Sequence, residues 1–234
     1  MIQKFLHHIW VGPLKRPKKW MDTWPAKHPD WNYILWDNRK VFNKSWINQK
    51  QIDFYKSRRE WPGIADIIRY EILYEYGGIM PGADWECLNP IDELLDDCEL
   101  FAVSCCGDKN MWKRVDGKKD TKLPIFLSRG KTEFENLITP IIGGTKGHWF
   151  FGRLNEEIGK IVNFGPPWRT TGNMFCQRMV KTYKPQIKVF PMHYFIPDHP
   201  RTATSHSHYK YIGKDKIYAR HHWGTTRHAY KEGI

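Results

Sequence analysis

Apolar and polar residues change their spacing several times along this chain, and each change predicts a new element of secondary structure. Residues 3–12 alternate and carry large apolar side chains, which predicts a strand that ends near Val11. A second alternating run begins at Trp31 and predicts another strand, with Trp31, Tyr33 and Leu35 on one face. The N-terminal part of the chain is therefore predicted to supply neighbouring strands of a sheet.

The segment that follows changes to helical spacing. From Pro62 to Tyr76 the apolar residues recur every three or four positions, Pro62 suits a first helical turn, and Gly77 suits the end of the helix. Residues 79–80 then predict a brief buried strand, which runs into the turn Pro-Gly-Ala-Asp and ends at Asp84. One segment thus predicts a helix, a reversal and a strand whose far end presents a carboxylate.

The rest of the chain continues to alternate between strand and helix patterns. We predict a short helix in 89–97, strands in 99–106 and 136–144, helices in 148–162 and 170–183, and late strands in 187–191 and 217–223. Thr170 or Thr171 is the expected cap of the last helix, and residues 107–122 have loop composition. This order predicts an α/β fold with a central mixed, mostly parallel sheet flanked by helices, in one domain over residues 1–234.

Charge and aromatic content narrow the class of ligand. The formal net charge is +12 and the isoelectric point about 9.4, so the protein attracts phosphates, whether on nucleotides, nucleic acids or membrane surfaces. Aromatic residues make up 15% of the chain while the mean hydropathy is −0.64, which fits rings that line a wet cleft.

Cysteine usage and hydropathy bear on the compartment. The five cysteines are irregularly spaced and form no CxxC pair, which indicates reduced thiols and a cytoplasmic setting. The start of the chain lacks the apolar core of a secretory signal, and no stretch approaches the ~20 apolar residues of a membrane span. We therefore expect a soluble cytoplasmic protein, compatible with peripheral association with a membrane.

Asp84 is the first candidate for chemistry. In open α/β sheets ligands bind outside the carboxyl ends of strands, and Asp84 is predicted at such an end. A carboxylate there can hold a divalent cation that bridges a diphosphate. The alternative is that Asp84 only stabilises a turn, since Pro-Gly-x-Asp is also ordinary turn chemistry.

Asp66 and Arg69 are the second candidate, because three residues of separation place them on one helical face. They could be an exposed ion pair of little consequence. Their helix runs directly into the strand that leads to Asp84, however, so both side chains could face the same cleft. A buried pair of this kind could bind sugar hydroxyls through its acceptor and its donor side.

Several motifs resemble a known family. "LHHIWVGP", "ADIIRYEILYEYGGIMPGADWECLNPIDELL", "IIGGTKGH", "FPMHYFIP" and "ARHHWG" occur in the order seen in glycosyltransferase family 32, which contains the sugar-binding region with a DxD motif. The resemblance implies a GT-A fold, a nucleotide-sugar donor with UDP preferred to GDP, transfer with retention of configuration, and Mn²⁺ or Mg²⁺ as cofactor. It also implies a glycan, glycoprotein or glycolipid as acceptor and no stable nucleic-acid partner.

The resemblance assigns roles to individual positions. Trp10 matches the aromatic residue against the nucleotide base, Asp66 and Arg69 match the pair that grips the donor sugar, and Asp84 matches the second acid of the DxD motif. The same donor-binding set includes Val11, Ala83 and His221, and the implied metal ligands are Asp84, His221 and His222.

The sequence departs from the family pattern at a few positions. Gly82 replaces the first acid of the motif, Met80 replaces the usual preceding aromatic residue, Arg227 replaces a Trp, and Asn173 stands where Pro is common. Loss of the first acid leaves an alternative open, namely a catalytically weakened protein that binds carbohydrate or nucleic acid on the same fold.

The C-terminal segment invites two further interpretations. His206, His208, His221, His222 and His228 could suggest zinc, but the thiols carry no matching ligand spacing. Basic and aromatic residues also interleave there, which is a pattern that can bind nucleic acid. We prefer a basic tail that folds over the active site.

Overall fold

The structure is a computed structural model and describes residues 1–117, 137–200, 208–224 and 230. Its strands are β1 (Phe5–Trp10), β2 (Asn32–Asp37), β3 (Gly78–Pro81), β4 (Trp85–Cys87), β5 (Leu100–Ser104), β6 (Trp112–Arg114), β7 (Leu137–Gly144), β8 (Lys188–Phe190), β9 (Asp198–His199), β10 (Tyr209–Tyr211) and β11 (Ala219–His221). Its helices are α1 (Lys18–Met21), α2 (Thr23–Lys27), α3 (Asn38–Phe42), α4 (Gln49–Ser57), α5 (Trp61–Tyr76), α6 (Trp149–Gly159), α7 (Pro167–Thr170), α8 (Asn173–Tyr183) and α9 (Met192–Phe195).

Six strands form the central sheet in the order β2-β1-β3-β7-β5-β8. The pairs β1–β2, β1–β3 and β5–β8 are parallel, whereas β7 is antiparallel to both β3 and β5. Five strands therefore run in one direction and β7 alone runs against them. The predicted α/β fold with a mixed, mostly parallel sheet is confirmed.

Helix α5 and the reversal after it follow the predicted pattern. Pro62 lies in the first turn, and Gly77 ends the helix with φ +69°. A Cβ at Gly77 would lie 2.2 Å from Gln3 Oε1, and one at Gly78 would lie 2.3 Å from the carbonyl oxygen of Phe5. Only glycine satisfies both the positive φ and the close approach of the backbone, so the two glycines allow α5 to turn directly into β3.

Two hydrophobic cores cover the two faces of the sheet. One contains the buried faces of α4, α5, α6 and α8, with Tyr70 and Phe151 among its largest members. The other lies under α2, α9, β4 and β11 and is built around Trp24 and Trp85. The indole Nε1 of Trp24 donates to the carbonyl oxygen of Trp85 at 2.8 Å, which ties α2 to β4.

The sequence interpretation was wrong in three local details. Residues 107–122 were expected to be a loop, yet Lys109–Met111 form a 3-10 turn and Trp112–Arg114 form β6; residues 118–122 lie outside the described part. The short helix expected in 89–97 is a 3-10 turn, Asp92–Leu94. Gly172, and neither Thr170 nor Thr171, precedes α8, because the Thr170 hydroxyl accepts the Gly165 N–H at 3.0 Å and Thr171 is buried.

Two global properties concern cysteines and helices. All five cysteines are free thiols, and burial raises the pKa of Cys87, Cys105 and Cys176 to about 12. Among the residues that the structure describes, none of the helices combines the length and apolar character that a bilayer span requires.

Candidate functional site

A cleft of about 350 Å³ opens at the carboxyl ends of β1 and β3, where α5 passes beside the sheet. This is the edge at which open α/β sheets bind ligands. Its lining comprises Ile9, Trp10, Val11, Pro13, Leu14, Trp61, Pro62, Ala65, Asp66, Arg69, Met80, Pro81, Gly82, Ala83, Asp84 and Tyr230. Six of the residues predicted from the sequence, Trp10, Val11, Asp66, Arg69, Ala83 and Asp84, thus meet in one cavity.

Trp10 forms the aromatic wall of the cleft. It ends β1, and its indole Nε1 donates to the carbonyl oxygen of Leu14 at 2.8 Å, so the loop after the strand fixes the ring. Tyr230 meets it edge-on, with ring centroids 5.1 Å apart. The loop itself packs closely on α5, since a Cβ at Gly12 would lie 2.8 Å from the Trp61 ring. Two aromatic side chains are therefore held in place at this wall.

Asp66 and Arg69 form a largely buried ion pair on α5. Arg69 Nη1 donates to Asp66 Oδ1 at 2.8 Å, and the two side chains are 8% and 13% exposed. Burial raises the pKa of Asp66 to about 6, and Arg69 opposes that shift without cancelling it. Arg69 Nε is buried and has no hydrogen-bond partner among the described residues, so the pair retains an unused donor. The exposed ion pair that we considered as an alternative is excluded.

The backbone around Gly172 closes over this pair. A Cβ at Gly172 would lie 2.7 Å from Asp66 Oδ2 and 3.0 Å from Trp168 Cα. The turn between α7 and α8 therefore lies directly against the carboxylate. Any side chain at this position would displace Asp66, α7 or both.

Asp84 lies across the cleft and is the centre of a small hydrogen-bond network. His221 Nε2 lies 3.1 Å from Asp84 Oδ2, and the backbone N–H of Gly224 donates to the same oxygen at 2.8 Å. Burial alone would raise the pKa of Asp84, but His221 and the Gly224 N–H more than offset it, so the pKa lies below its ordinary value. Asp84 thus stays ionised across the neutral range.

Strand β11 carries His221 to this position. It pairs antiparallel with β4, so that His221 lies opposite Trp85, and the two rings stack with centroids 4.6 Å apart. His222 is directed elsewhere: its Nε2 is 2.8 Å from Glu86 Oε2, and its ring stacks on Trp20 at 4.7 Å. The structure therefore brings the side chains of Asp84 and His221 together. The His222 N–H donates to the Asp84 carbonyl oxygen at 2.8 Å, but the His222 side chain points away, since successive side chains of an extended chain alternate in direction.

The donor set is suited to a cation that is shared with a ligand. In the described part of the chain, no group of three or more His, Cys, Asp or Glu residues could hold a metal ion. Asp84 and His221 supply one oxygen and one nitrogen, and Mg²⁺-like cations at phosphate sites take one or two protein ligands plus substrate oxygens. His221 Nδ1 is buried without a described partner, whereas a ligating His usually donates that N–H. The residues fit a metal–diphosphate complex better than a cation alone.

Several positions expected from the sequence contribute little or fall outside the described residues. Gly82 lines the cleft without a carboxylate, and Met80 is buried within β3. His206, Arg227 and His228 lie outside the described part. His208 pairs with Asp198, at the edge of the small sheet formed by β6, β10 and β9.

Sequence reasoning missed the Gly224 N–H, Tyr230 and Gly172 as parts of the site. The first two are brought to the cleft by long-range packing, and no local pattern announces them. Gly172 directly follows the two threonines of which one was expected to cap the last helix. Its close contact with Asp66, about 100 residues away in sequence, depends on how α7 and α5 meet.

Comparison with known sequences identifies the family. Residues 15–101 match the family described as "Glycosyltransferase sugar-binding region containing DXD motif". The protein named "Inositol phosphoceramide mannosyltransferase 1" from Schizosaccharomyces pombe is 30% identical over 122 residues, which are 47% of this chain and 37% of that protein. The "Initiation-specific alpha-1,6-mannosyltransferase" of Candida albicans is 26% identical over 186 residues, covering 69% of this chain and 48% of that protein.

The chain thus spans between about a third and a half of the length of these relatives. Among solved structures, a chain described as "PaToxG Glycosyltransferase" aligns with a TM-score of 0.43 and 14% identity over 78% of this chain and 70% of that one. The resemblance found in the sequence motifs is confirmed by the family match.

Proposed function

We propose, on the premise that residues 15–101 make this chain a member of the glycosyltransferase family with the DXD sugar-binding region, that it transfers a hexose from a nucleotide sugar to a hydroxyl acceptor. The observation that carries this proposal is the convergence of Trp10, Asp66, Arg69 and Asp84 on one cleft at the carboxyl ends of β1 and β3. The reaction proposed is transfer with retention of anomeric configuration to a glycan, glycoprotein or glycolipid.

The two ends of the cleft suit the two ends of a nucleotide sugar. Trp10 and Tyr230 provide ring faces and edges for a base, with Tyr230 edge-on to Trp10. Asp66 can accept hydrogen bonds from sugar hydroxyls, while Arg69 lines the cleft and can donate from the guanidinium N–H groups that are not used by Asp66. Between these ends, Asp84 and His221 lie where the diphosphate would pass.

The cofactor proposed is Mn²⁺ or Mg²⁺, held by Asp84 and His221 together with the diphosphate. When bound, such a cation neutralises the negative charge that grows on the departing nucleoside diphosphate. Asp84 is suited to this role because its carboxylate accepts the Gly224 N–H, a hydrogen bond that favours the anionic form. Gly82 contributes no second carboxylate, so we propose that the protein binds the cation weakly until the nucleotide is present.

Retention is proposed because the family resemblance implies it, and transfer without a covalent enzyme intermediate is proposed because the described lining of the cleft offers no spare carboxylate nucleophile. Of the described residues that line it, only Asp66 and Asp84 are carboxylates; Asp66 is paired with Arg69, and Asp84 is bound by His221 and Gly224. The acceptor hydroxyl would then attack on the face that the leaving group departs from, with its charge stabilised by the fixed groups of the cleft. Asp66 and Arg69 would position the sugar in that scheme.

The sugar proposed is mannose. The two relatives described above are both named mannosyltransferases, which favours a mannosyl group over other hexoses. UDP was the nucleotide preferred from the sequence motifs, and the relatives' names do not specify one. The nucleotide therefore has to be measured.

The experiment is a donor screen that reads slow hydrolysis as well as transfer. GDP-mannose and a panel of UDP-hexoses are incubated with the protein in Mn²⁺, in Mg²⁺ and in EDTA, and the released nucleoside diphosphate is quantified. We expect release from one donor, at least ten times faster with metal than in EDTA, and an anomeric configuration retained in the product.

A matched pair of variants sharpens this screen. Asp84→Asn should lose metal-dependent release, whereas Glu86→Gln, two residues away and paired with His222, should keep it. A rise in melting temperature with the nucleotide sugar but without any release would instead favour the second candidate function, a catalytically weakened carbohydrate-binding protein on the same fold. That candidate is worth testing because Gly82 removes one carboxylate from the site. Absence of both release and a thermal shift would contradict the proposal.

A further inference from the structure

Three apolar side chains close to α7 in the sequence are exposed. Val162 is 83% exposed, Trp168 is 58% exposed and Met174 is 40% exposed. Single exposed apolar residues are normal on protein surfaces, but three within thirteen residues of sequence, one of them a Trp, form a local exception. Packing in the hydrophobic core does not account for these exposed side chains.

The backbone that carries these residues is firmly anchored. Phe164 stacks on Phe54 with ring centroids 4.4 Å apart, and the Tyr55 hydroxyl donates to the carbonyl oxygen of Gly165 at 3.2 Å. Gln51 Nε2 donates to the carbonyl oxygen of Gly159 at 3.1 Å. The segment therefore packs Phe164 against α4 and Ile161 against the core, while Val162 stays exposed on the same anchored backbone.

The same segment is strongly cationic. Between Ile158 and Pro197 the sequence contains no Asp or Glu, but it contains the six basic residues Lys160, Arg169, Arg178, Lys181, Lys184 and Lys188. Lys160, Arg169 and Arg178 line a cavity of about 540 Å³. The single carboxylate in that lining, Glu157, is already bound by Lys160 and by the Tyr183 hydroxyl. The cavity thus carries a net positive charge.

This surface adjoins the proposed donor site. The β position of Gly172 lies 2.7 Å from Asp66 Oδ2 and 3.0 Å from Trp168 Cα, so the start of α7 is in near contact with the sugar end of the cleft. Arg169 follows directly, which places its backbone within about 10 Å of the Asp66 carboxylate. A molecule held on this surface would have its reactive group beside the cleft.

We infer that the α7 surface, formed by Val162, Trp168, Met174, Arg169 and Arg178, docks on a lipid bilayer that carries anionic headgroups. Trp belongs at membrane interfaces, where its ring is buried and its N–H stays wet, and aliphatic side chains enter the acyl boundary beside it. Basic residues near an anionic leaflet add an electrostatic attraction that salt screens. The phosphate oxygens of the headgroups accept hydrogen bonds, and Arg169 and Arg178, which line the cavity, can donate them.

A bilayer explains this surface better than nucleic acid or a soluble glycan. Single-stranded nucleic acids stack on aromatic rings, yet two of the three apolar side chains, Val162 and Met174, have no ring. A neutral glycan does not account for a stretch of forty residues without an acid. The role of this docking rests on the proposed function: it would bring the hydroxyl of a membrane-borne acceptor to the cleft.

The test is vesicle flotation of the whole protein without donor or acceptor. Vesicles of phosphatidylcholine alone are compared with vesicles that contain about one third phosphatidylserine, at low and high salt. We expect binding to the anionic vesicles, at least tenfold weaker binding to the neutral ones, and a loss of binding as salt rises. Trp168→Ser should weaken the binding about tenfold, and the double variant Arg169→Gln/Arg178→Gln about twentyfold.

Trp149→Ser is the matched control. Trp149 is also half exposed, but it starts α6 whereas the cationic cavity lies at the other end of that helix, about 15 Å along the axis. We expect it to bind vesicles like the wild type. Equal losses in Trp149→Ser and Trp168→Ser, binding that ignores headgroup charge, or no vesicle binding would each overturn the inference.

Two further readouts separate this inference from the proposed function. Release of nucleoside diphosphate from the donor in solution should be the same in Trp168→Ser as in the wild type, since the ring does not line the cleft. If the donor screen fails while vesicle binding is intact, the proposed enzymatic function is contradicted and the membrane-docking surface is supported. Tight binding of single-stranded DNA that is lost in the same variants would assign the surface to nucleic acid and overturn the lipid proposal.

Discussion

Asp66 and Asp84 face the same cleft, are equally exposed at 13%, and yet have opposite acid–base properties. Burial raises the pKa of Asp66 to about 6, although Arg69 is only 2.8 Å away. Burial acts on Asp84 as well, but His221 and a backbone N–H lower its pKa below the ordinary value. Exposure alone therefore says little about the charge of a carboxylate in this site.

The difference lies in how each carboxylate is contacted. Among the described residues, Asp66 accepts a hydrogen bond from a guanidinium that lies beside it on the same helix. Asp84 Oδ2 is contacted by the ring nitrogen of His221, which ends β11, and accepts the backbone N–H of Gly224, which follows that strand. Hydrogen bonds to the charged form favour ionisation. One carboxylate is thus tuned to titrate and the other to remain charged.

The largest effect should come from Asp84→Asn. On the proposed mechanism, removing this negative charge should lower kcat/KM for the donor by about a thousandfold, because the proposed cation at the leaving group would be lost. The amide oxygen can still accept the Gly224 N–H, so the melting temperature should change by only a few degrees. Donor kinetics and a circular-dichroism melt check both points.

Glu86→Gln provides the comparison for that variant, since it neutralises a neighbouring acid that binds His222 instead. Its kcat/KM should stay within about twofold of the wild type, as is usual for a change away from the reacting groups. If Asp84→Asn retains a tenth of the wild-type kcat/KM, the contrast between the two carboxylates has no catalytic meaning.

Arg69→Met should have the next largest effect. It leaves Asp66 buried without its partner, so the free energy of unfolding should fall by about 3 kcal/mol at pH 8. The loss should be smaller at pH 5, where Asp66 takes up a proton and no longer buries a charge. Donor turnover should fall about a hundredfold, since sugar positioning is lost.

Urea denaturation at the two pH values measures this stability effect. Arg58→Met is the control, because Arg58 pairs with Glu60 on the surface at 3.0 Å and its side chain is 58% exposed. Breaking that pair should cost at most about 0.5 kcal/mol. A loss in Arg69→Met that is independent of pH would mean that Asp66 does not titrate in this range.

The pH dependence of kcat/KM should show which carboxylate titrates. If ionised Asp66 is needed to accept sugar hydroxyls, kcat/KM should fall about tenfold per pH unit below pH 6. Asp84 should add no limb there, because its pKa is depressed. A limb centred near pH 4 would show that Asp66 has an ordinary pKa.

The two groups also affect folding stability with opposite signs. The raised pKa of Asp66 means that the folded state binds its proton more tightly, so this contribution to stability declines as pH rises from about 4 to about 6. The depressed pKa of Asp84 gives a contribution that is present above about pH 4 and is lost as pH falls further. Unfolding free energies across this range separate the two.

The smallest effect should come from Gly172→Ala. The added Cβ would lie 2.7 Å from Asp66 Oδ2, so the carboxylate must move slightly, while Asp84 is untouched. We expect KM for the donor to rise about fivefold with kcat within twofold, because sugar binding changes more than the chemistry. Gly159→Ala is the control, since its Cβ meets only Asn48 Oδ1 at 3.2 Å. Equal KM values in the two variants would show that the turn after α7 does not affect binding of the donor sugar.

Much of the fold and the centre of this cleft could be predicted from the sequence. The helical spacing of 62–76, the paired glycines and the short apolar step all agree with one another, so α5 and β3 were predicted nearly to their ends. The role of Trp10 came only from the family resemblance, but because ligands bind beyond the carboxyl ends of such strands, Asp84 was expected at the ligand-binding edge of the sheet. Local pattern and sheet topology carried that inference.

What the sequence did not show depends on long-range contacts. The three residues of β6 become a strand only because β10, almost a hundred residues later, pairs with them. Alternation along a strand does separate His221 from His222, although it does not say which one faces Asp84. The backbone N–H of Gly224 leaves no signature in composition or spacing.

The pairing of β4 with β11 has a consequence for how the protein is made. Asp84 leaves the ribosome well before His221, which is 137 residues later, and the N-terminal strands can pair while this partner is still unsynthesised. A nascent chain can therefore complete half of its cleft long before it can complete the other half. Donor processing would have to wait until translation of the domain is nearly finished.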